Sequence, residues 1–491
     1  MPYILSIDEG TTSARAALYD REARRVSLAA VPTVSHFPQP GWVEQDASLI
    51  WQSQLAAVRN ALGLAGLGAG DVHAIGITNQ RETTVVWDRA TGQPIAPAIV
   101  WQCRRTAARC RELTAHAARI TRKSGLVVDA YFSGTKIEWI LNNVEGARSK
   151  AENGDVLFGN VDTWLIWNLT GGRVHVTDPT NASRTMLMNL ATGEWDDELL
   201  ALLNVPRAML PAIVPSSSII GHTDASVFGA EIPIAGIAGD QQAALAGQAC
   251  FAKGLSKNTY GTGCFALLHA GDVEPISENR LLATRAASTT AQAQFAVEGS
   301  IFIAGAAVQW LRDKLAIIDN APETEAIALS VADTGGVYVV PAFVGLGAPH
   351  WDAEARAEIT GLTLGSGRAE IVRATLESMA YQTRELIQAM EADSGTRLAE
   401  LRVDGGAAAN NFLMQFQADI LDRPVVRPAD PETTALGAAF LAGLATGYWK
   451  SLAEVESFWR AERTFEPSML ASTRDSLWAG WQGAVAKAGT I

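Results

Sequence analysis

The fold of this 491-residue chain is decided near its start, by the stretch Tyr3-Ile-Leu-Ser-Ile-Asp8-Glu9-Gly10-Thr11-Thr12-Ser13. An apolar strand there runs into an acidic turn that is rich in glycine and hydroxyl groups. The chain becomes apolar again at residues 16–19, with the alternation of a second strand, so the turn predicts a hairpin tip. Such a tip suits the phosphates of a nucleotide, because glycine permits close approach and hydroxyl groups donate to phosphate oxygens. Taken alone, the motif also fits an ordinary Asp/Gly hairpin.

The length of the chain and its pattern predict a two-domain α/β protein. A chain of 491 residues is too long for one comfortable core, and strand-like and helix-like patterns alternate along it. We place the boundary just after the helix that follows residue 240. The predicted domains are therefore residues 1–248 and 249–491.

Charge, hydropathy and cysteine content exclude several classes of function. The net charge is −13 and there is no basic stripe, so we expect no nucleic-acid partner. The apolar runs are too short to cross a bilayer, and the first residues lack a targeting signal, which predicts a cytoplasmic protein without membrane insertion. The four cysteines show no C-x-x-C pairing, as expected for reduced thiols. The sequence leaves open whether the chain forms a homo-oligomer.

The second half of the sequence repeats the pattern of the first. Residues 257–268 again predict strand, tip and strand, with Gly261-Thr262-Gly263 at the tip. A short strand at 401–404 ends in Gly405-Gly406 before a helix, whose N-terminus suits a nucleotide. A close crossing of strand and helix is the other interpretation of this glycine pair. Duplicated α/β halves would let two tips hold one polyphosphate from opposite sides of a cleft.

Two common nucleotide-binding motifs do not account for these glycines. The sequence contains no G-x-x-x-x-G-K-[S/T] string, which excludes a Walker loop. Residues 261–266 fit G-x-G-x-x-A, but the residues that follow predict a strand where a dinucleotide-binding unit needs a helix. A dehydrogenase is therefore not expected.

Six motifs share a fixed order along the chain, namely Asp8-x-Gly10-Thr-Thr-Ser13, Gly76-Ile-Thr-Asn-Gln-Arg81-Glu82-Thr-Thr84, Trp101-Gln-Cys-Arg-Arg-Thr106, Gly239-Asp240-Gln241-Gln242, Tyr260-Gly-Thr262-Gly263-Cys264 and Asp404-Gly405-Gly406-Ala-Ala-Ala-Asn410. In this order they closely resemble the FGGY family of carbohydrate kinases, and within it the enzymes that phosphorylate glycerol. The resemblance covers nearly the whole chain. It implies two actin-like, ribonuclease-H-like domains with the active site in the cleft between them. It also implies phosphorylation of glycerol to sn-glycerol 3-phosphate, with ATP and Mg²⁺.

The resemblance implies a set of substrate residues around Asp240. Phosphorylation of an alcohol needs a base for the hydroxyl proton, and Asp240 lies where a helix dipole favours the ionised carboxylate. A helix cap is the other role that this aspartate alone would fit. Gln241 would bind a second substrate hydroxyl. The other implied contacts are Arg81 and Glu82, which we place at the tip of a hairpin between strands at 72–77 and 83–87, with Trp101, Tyr131 and Phe265.

The resemblance also implies nucleotide-binding residues in both halves. Asp8 would position Mg²⁺ through its water shell, because Mg²⁺ releases its waters reluctantly. The first phosphate turn contributes Thr11, Thr12, Ser13 and Arg15, the second turn contributes Thr262, and the rest of the ATP site consists of Gly305, Gln309, Gly406 and Asn410.

Two departures from the family pattern limit what the resemblance implies. Glu9 stands where the family usually has Gln, and it would disturb ATP binding only if it faced the cleft. Residues 224–231 contain no basic residue, whereas some relatives bind an inhibitory sugar bisphosphate there through Lys and Arg, so we expect such inhibition to be absent or weak. Two alternatives remain, a kinase of the same family for another small polyol or sugar, and a non-catalytic actin-like sensor that binds nucleotide.

Overall fold

The computed structural model describes residues 2–290, 292–352 and 354–489. Its first large sheet has six strands and contains the hairpin at the start of the chain. The two strands of that hairpin are antiparallel, with Asp8 opposite Arg15. The spatial order of the strands is Ser217–His222 (β14), Pro233–Gly239 (β15), Val72–Asn79 (β6), Tyr3–Glu9 (β1), Ser13–Tyr19 (β2) and Arg25–Pro32 (β3).

The second large sheet has seven strands and contains the predicted second hairpin. Its hairpin strands are antiparallel, with Tyr260 opposite Cys264. The spatial order is Leu282–Arg285 (β18), Phe295–Ile301 (β19), Cys264–Gly271 (β17), Ser256–Tyr260 (β16), Leu401–Asp404 (β22), Val425–Pro428 (β23) and Ala461–Phe465 (β24).

The two sheets share five strands that have the same spatial order and the same order along the chain. The order β3-β2-β1-β6-β15 corresponds to β19-β17-β16-β22-β23, and each neighbouring pair has the same parallel or antiparallel sense. The next strand is antiparallel in both sheets, but β14 precedes β15 in the chain whereas β24 follows β23. The predicted duplication of α/β halves is confirmed. We refer below to the first lobe and the second lobe by these two sheets.

The remaining strands form short sheets at the periphery. They are Ser35–His36 (β4), Glu44–Gln45 (β5), Val85–Asp88 (β7), Ala98–Ile99 (β8), Val156–Gly159 (β9), Val176–Thr177 (β10), Met188–Asn189 (β11), Glu194–Trp195 (β12), Ala212–Ile213 (β13), Tyr338–Val340 (β20) and Glu358–Thr360 (β21).

One predicted hairpin is wrong. β6 belongs to the first large sheet, whereas β7 leaves it and pairs with β9. Residues 80–84 therefore connect two different sheets, and Arg81 and Glu82 lie in a buried crossing instead of at a hairpin tip. Sequence alternation predicts that a strand exists, but tertiary contacts select its partner.

The helices cover both sheets. They are Ala47–Ala65 (α1), Ala107–Glu112 (α2), Ala117–Ser124 (α3), Ser133–Asn143 (α4), Ala147–Asn153 (α5), Val161–Leu169 (α6), Pro179–Ala182 (α7), Asp197–Leu202 (α8), Ala225–Phe228 (α9), Asp240–Gly247 (α10), Gly305–Asp313 (α11), Glu323–Leu329 (α12), Arg368–Ser394 (α13), Asn411–Leu421 (α14), Thr433–Ala445 (α15), Leu452–Phe458 (α16) and Ala471–Ala488 (α17). Short 3₁₀ turns occur at Ala69–Asp71, Leu113–His116, Arg207–Met209 and Gly406–Ala409.

Helix α15 lies between the lobes and packs on α10 and on strands β1, β6 and β15 of the first sheet. Gly247 of α10 faces Gly437 of α15, and a Cβ atom at either position would lie 1.8 Å from backbone oxygen of the opposite helix. Glycine is required there because the two backbones touch. A late segment of the chain thus supports the early sheet, and the division at residue 248 remains a prediction.

Each lobe has its own apolar core, the first below β1 and β6 against α1 and α6, and the second around β17, β19, α13 and α14. Among the described residues, no helix is long and apolar enough to cross a membrane. All four cysteines are free and buried, which agrees with the expectation of reduced thiols.

Candidate active site

Hydrogen bonds fix the backbone at the tip of the first hairpin. Gly10 N–H donates to Ser13 O at 3.1 Å, and the carbonyl oxygen of Thr11 accepts hydrogen bonds from Thr33 Oγ1 and Gln45 Nε2, both at 2.8 Å. Thr12 is exposed, and Thr11 and Ser13 are partly exposed. The predicted phosphate turn therefore has a braced backbone and accessible hydroxyl groups.

Asp240 begins helix α10, immediately after strand β15. Its Oδ1 accepts a hydrogen bond from the Gln241 N–H at 2.8 Å and lies 3.2 Å from Arg81 Nε. The Gly239 N–H donates to Thr180 Oγ1 at 2.8 Å, and Thr180 in turn donates to the buried carboxylate of Asp178. The side chain of Asp240 is 31% exposed, so it is accessible to a small substrate while its backbone is fixed from behind.

A buried ion network surrounds Arg81 and Glu82. Arg81 donates to both oxygens of Glu298, at 2.5 and 2.9 Å, and Arg184 donates to Glu82 at 2.6 Å and to Glu298 at 3.1 Å. Burial raises the pKa of Glu298, but the guanidinium groups of Arg184 and Arg81 outweigh it and lower the pKa to about 2. Glu298 belongs to the second sheet, so this network joins the two lobes behind Asp240.

Three of the predicted substrate residues form an aromatic wall. The ring of Trp101 lies 5.5 Å from that of Tyr131 and 6.5 Å from that of Phe265, with edge contacts in both pairs. The guanidinium group of Arg184 lies 5.5 Å from the Tyr131 ring, which connects the wall to the ion network. The Trp101 Nε1–H donates to Thr11 Oγ1 at 2.8 Å, which connects the wall to the phosphate turn.

Gln241 has a partner that the sequence analysis missed. Lys257 Nζ donates to Gln241 Oε1, from β16 in the second lobe. Burial lowers the pKa of Lys257 to about 8, against the opposing effect of Asp404 and Asp240. Arg184 and Glu298 were missed as well, because a lone charged residue in an apolar strand or loop gives no sign of the partner it will meet.

The first lobe also provides an acidic group suited to Mg²⁺. Asp8 is 6% exposed, and its pKa is raised to about 7 by burial, while Arg15 lowers it and the nearby carboxylates of Asp240 and Glu432 raise it further. Within the described residues, no three His, Cys, Asp or Glu side chains form a metal site on their own. A hard cation that keeps its waters and shares phosphate oxygens fits this arrangement, and would relieve the repulsion between the carboxylates.

Glu9 faces away from the cleft, on the side of the sheet opposite to Asp8. It is completely buried, and neither carboxylate oxygen has a hydrogen-bond partner among the described residues. Burial, and then the charge of Asp8, hold the pKa of Glu9 well above its usual range. This residue therefore adds no negative charge to the phosphate turn while it keeps its proton.

A cavity of about 390 Å³ lies in the second lobe. The predicted residues Thr262, Gly305, Gln309, Gly406 and Asn410 all line it. Further lining residues that the sequence analysis did not select are Val308, Arg312, Pro322, Thr324, Glu325, Leu376 and Ala407. The apolar members of this set suit a flat aromatic ring, and the polar members suit its ribose and phosphates.

Local backbone contacts shape this cavity. The Gly305 N–H donates to Gly261 O at 3.0 Å, and a Cβ atom on Gly305 would lie 2.6 Å from that oxygen. The hairpin tip at 261–263 therefore rests on the start of α11. Gly405 has φ +87°, and Asn410 caps α14 by accepting from the Leu413 N–H at 2.9 Å.

Arg15 lies apart from this cavity and has a protein partner. Its Nη1 donates to Glu432 Oε2 at 3.1 Å, and its Nε donates to Ser13 Oγ at 3.2 Å. The side chain is 42% exposed, so it can still reach a phosphate at the hairpin tip. Thr11, Thr12 and Ser13 share that tip and do not line the cavity of the second lobe.

Comparison with known proteins places this geometry in a family. Residues 3–247 match the N-terminal domain of the FGGY family of carbohydrate kinases, and residues 256–446 match its C-terminal domain. The chain belongs to the FGGY family of carbohydrate kinases. It is 59% identical to a glycerol kinase of Caldanaerobacter subterraneus subsp. tengcongensis, over 99% of this chain and 98% of that protein. It is also 59% identical to glycerol kinase 2 of Thermotoga maritima, over 99% of both chains.

Solved structures of a glycerol kinase and a xylulose kinase share the fold. The crystal structure of Plasmodium falciparum glycerol kinase with ADP matches with a TM-score of 0.95 and 37% identity, covering 100% of this chain and 99% of that one. A ligand-bound xylulose kinase from Lactobacillus acidophilus matches with a TM-score of 0.88 at 21% identity, over 99% and 97% of the chains, which supports the fold alone. The predicted two-domain α/β architecture is confirmed.

Proposed function

We propose that this FGGY kinase transfers the γ-phosphoryl group of ATP to glycerol and releases ADP and sn-glycerol 3-phosphate. The observation that carries the proposal is the position of the partly exposed Asp240 carboxylate, 3.2 Å from Arg81 and next in the chain to Gln241. Relatives named glycerol kinase, 57% to 60% identical over nearly the full chain, and the ADP-bound Plasmodium enzyme support the same reaction.

The proposed glycerol pocket has one charged side and one aromatic side. Arg81 and Glu82 supply donors and acceptors that can read adjacent hydroxyl groups. Trp101, Tyr131 and Phe265 offer apolar faces to the carbon backbone of the substrate. The ion network fixes both charged side chains, so the pocket needs little reorganisation when a substrate binds.

Asp240 is the proposed general base. As the glycerol oxygen attacks the γ-phosphorus, the O–H proton passes to the Asp240 carboxylate, and the bond from γ-phosphorus to the bridging oxygen breaks. The electron pair of that bond leaves with ADP. Arg81 Nε, 3.2 Å from Oδ1, holds the carboxylate in place before the transfer.

The nucleotide is proposed to span both lobes. Gly305, Gln309, Gly406 and Asn410 would hold the adenosine in the cavity of the second lobe, while Thr262 faces the phosphates from one side. Thr11, Thr12, Ser13 and Arg15 would face them from the other side. Asp8 would hold Mg²⁺ through water; when bound, this cation neutralises charge that develops on the phosphate oxygens.

The test of this proposal is glycerol-dependent release of ADP from Mg-ATP by the purified chain. We expect turnover with glycerol and a kcat/KM for other small polyols and sugars that is lower by at least about tenfold. A preference for another polyol would indicate a different kinase of the family. Nucleotide binding without turnover on any polyol would indicate a non-catalytic sensor.

The setting of the enzyme is also a proposal. Four free, buried cysteines are typical of a reducing compartment, so we propose that the protein is cytoplasmic. The net charge of −13 argues against nucleic acid as a partner. Size-exclusion chromatography with light scattering would decide whether the chain forms a homo-oligomer.

A further inference from the structure

A buried ammonium group connects the second lobe to the helix that carries the proposed base. Lys257 lies on β16 and is completely buried. Its Nζ donates to Gln241 Oε1, to Thr259 Oγ1 at 2.9 Å and to the carbonyl oxygen of Phe265 at 3.2 Å. An ammonium group has three hydrogens, so these three acceptors satisfy it. Because every bond is directed, the group is fixed in one orientation.

This contact settles which way the Gln241 amide points. A glutamine amide carries one acceptor oxygen and one NH₂ group with two donors, whereas an ammonium group can only donate. The oxygen of Gln241 must therefore face Lys257, and the NH₂ group must face away. Within the described residues, this NH₂ group donates to no protein atom, and Gln241 is only partly buried.

Gln241, which carries this NH₂ group, follows Asp240 in the sequence at the start of the same helix. Asp240 and Gln241 are the first two residues of α10, and both are partly exposed. Phe265, whose carbonyl oxygen accepts from Lys257, also belongs to the aromatic wall. Lys257 thus contacts two of the residues that form the proposed substrate pocket, although it is itself completely buried.

We propose that Lys257 is a positioning residue that orients the Gln241 amide, so that its NH₂ group donates to a glycerol hydroxyl oxygen. This inference rests on the proposed function, because it concerns the same pocket. While Asp240 accepts the proton of the reacting hydroxyl, Gln241 binds the oxygen of another. Since Lys257 belongs to the second lobe and Gln241 to the first, recognition of that hydroxyl depends on the contact between lobes.

The test compares Lys257→Met with the matched control Thr259→Val. The methionine keeps most of the side-chain length but removes the donors, whereas the valine removes one acceptor of Lys257 and leaves its bond to Gln241. Both variants and the unchanged enzyme are assayed with glycerol, propane-1,2-diol and propane-1,3-diol, at saturating Mg-ATP. Each diol lacks one hydroxyl, so the ratio of kcat/KM for glycerol to that for a diol measures recognition of that hydroxyl.

For Lys257→Met we expect a KM for glycerol that rises about tenfold, as for the loss of one well-oriented hydrogen bond. The KM for ATP should stay within about twofold. The preference for glycerol over one of the two diols should also fall about tenfold, which a merely structural role would not produce. Thr259→Val should match the unchanged enzyme within about twofold in all three quantities.

Two outcomes overturn the inference without touching the proposed function. One is an unchanged diol preference in a folded Lys257→Met variant, and the other is an equal effect in Thr259→Val. Should Lys257→Met fail to fold, Gln241→Glu carries the test, because it keeps an acceptor for Lys257 and replaces the outward NH₂ group by oxygen. A KM for glycerol within twofold in that variant contradicts the proposal. Absence of glycerol turnover in the unchanged enzyme would instead refute the proposed function.

Discussion

At the scale of single residues, the site places three carboxylates in three different electrostatic settings. The two guanidinium groups beside Glu298 lower its pKa to about 2, whereas burial raises the pKa of Asp8 to about 7. Glu9 is buried without a hydrogen-bond partner among the described residues, and burial holds its pKa well above the usual range. Charged neighbours and burial therefore lower the pKa of one of these chemically similar groups and raise the pKa of the other two.

Replacement of Glu9 by Gln should stabilise the protein at high pH. The folded-state pKa of Glu9 lies above its unfolded value, so the folded state binds more protons and stability falls as pH rises above about 4.5. Glu9→Gln removes this loss. We expect its free energy of unfolding at pH 8 to exceed that of the unchanged protein, because the folded-state pKa of Glu9 is raised by burial.

The gap between the two proteins should shrink as the pH falls toward 4.5 and below, because Glu9 carries the proton in both states only below its unfolded-state pKa. Denaturant unfolding at several pH values measures it. An equal stability of both proteins from pH 5 to pH 8 would show that Glu9 has a partner for its charge.

The raised pKa of Asp8 predicts that the affinity of the protein for Mg²⁺ depends on pH. Its folded-state pKa of about 7 means that a proton competes with the cation below that pH. In protein saturated with ADP, we expect the Mg²⁺ affinity to fall by up to about tenfold between pH 8 and pH 6. Calorimetric titration measures this change, and Asp8→Asn should remove the part that exceeds the titration of the nucleotide itself.

Glu377 supplies the control for that experiment. Its pKa is also raised to about 7 by burial, but it lies on α13, paired with Arg373. Glu377→Gln should leave the pH dependence of Mg²⁺ binding unchanged. If Glu377→Gln removes the dependence and Asp8→Asn keeps it, the cation site is elsewhere.

At the scale of elements, the contact between α10 and α15 determines where the base sits. Gly437→Ala would place a Cβ atom 1.8 Å from the Ala243 carbonyl oxygen and push the two helices apart. Because α10 begins with Asp240, we expect a loss of stability of about 1–3 kcal/mol together with a fall in kcat. Thermal unfolding and steady-state kinetics measure the two effects.

Gly63→Ala in α1 is the matched control, since a Cβ atom there would meet no atom within 4 Å. It should leave kcat unchanged and stabilise the helix by about 0.5–1 kcal/mol. Normal activity and stability in Gly437→Ala would mean that the helices tolerate separation, and that α15 does not set the position of Asp240.

Local pattern predicted the elements that carry the chemistry. Polar tips between apolar strands predicted both hairpins. An apolar strand followed by polar or glycine residues and a helix predicted the segments around Asp240 and around Gly405-Gly406. The pairing of β6 and β7, the packing of α15 and the partners of Arg81 could not be predicted. Each depends on contacts between residues distant in sequence, and a buried charge gives no local sign of its partner.

At the scale of the whole molecule, two sheets share a five-strand arrangement, and the site takes a part from each. The proposed base and substrate residues come mostly from the first lobe, and the cavity for adenosine comes from the second. Glu298 and Lys257 of the second lobe contact Arg81 and Gln241 of the first. Closing the lobes would exclude water and favour transfer to glycerol over hydrolysis of ATP.

This division separates nucleotide binding from chemistry, and Asp240→Asn tests it most directly. The change removes the base and hardly alters the shape, while the cavity of the second lobe is untouched. We predict that kcat with glycerol falls by about 10²- to 10⁴-fold and that the Kd for ADP stays within about twofold. A variant with near-normal kcat would contradict the account, because another group would then have to accept the proton.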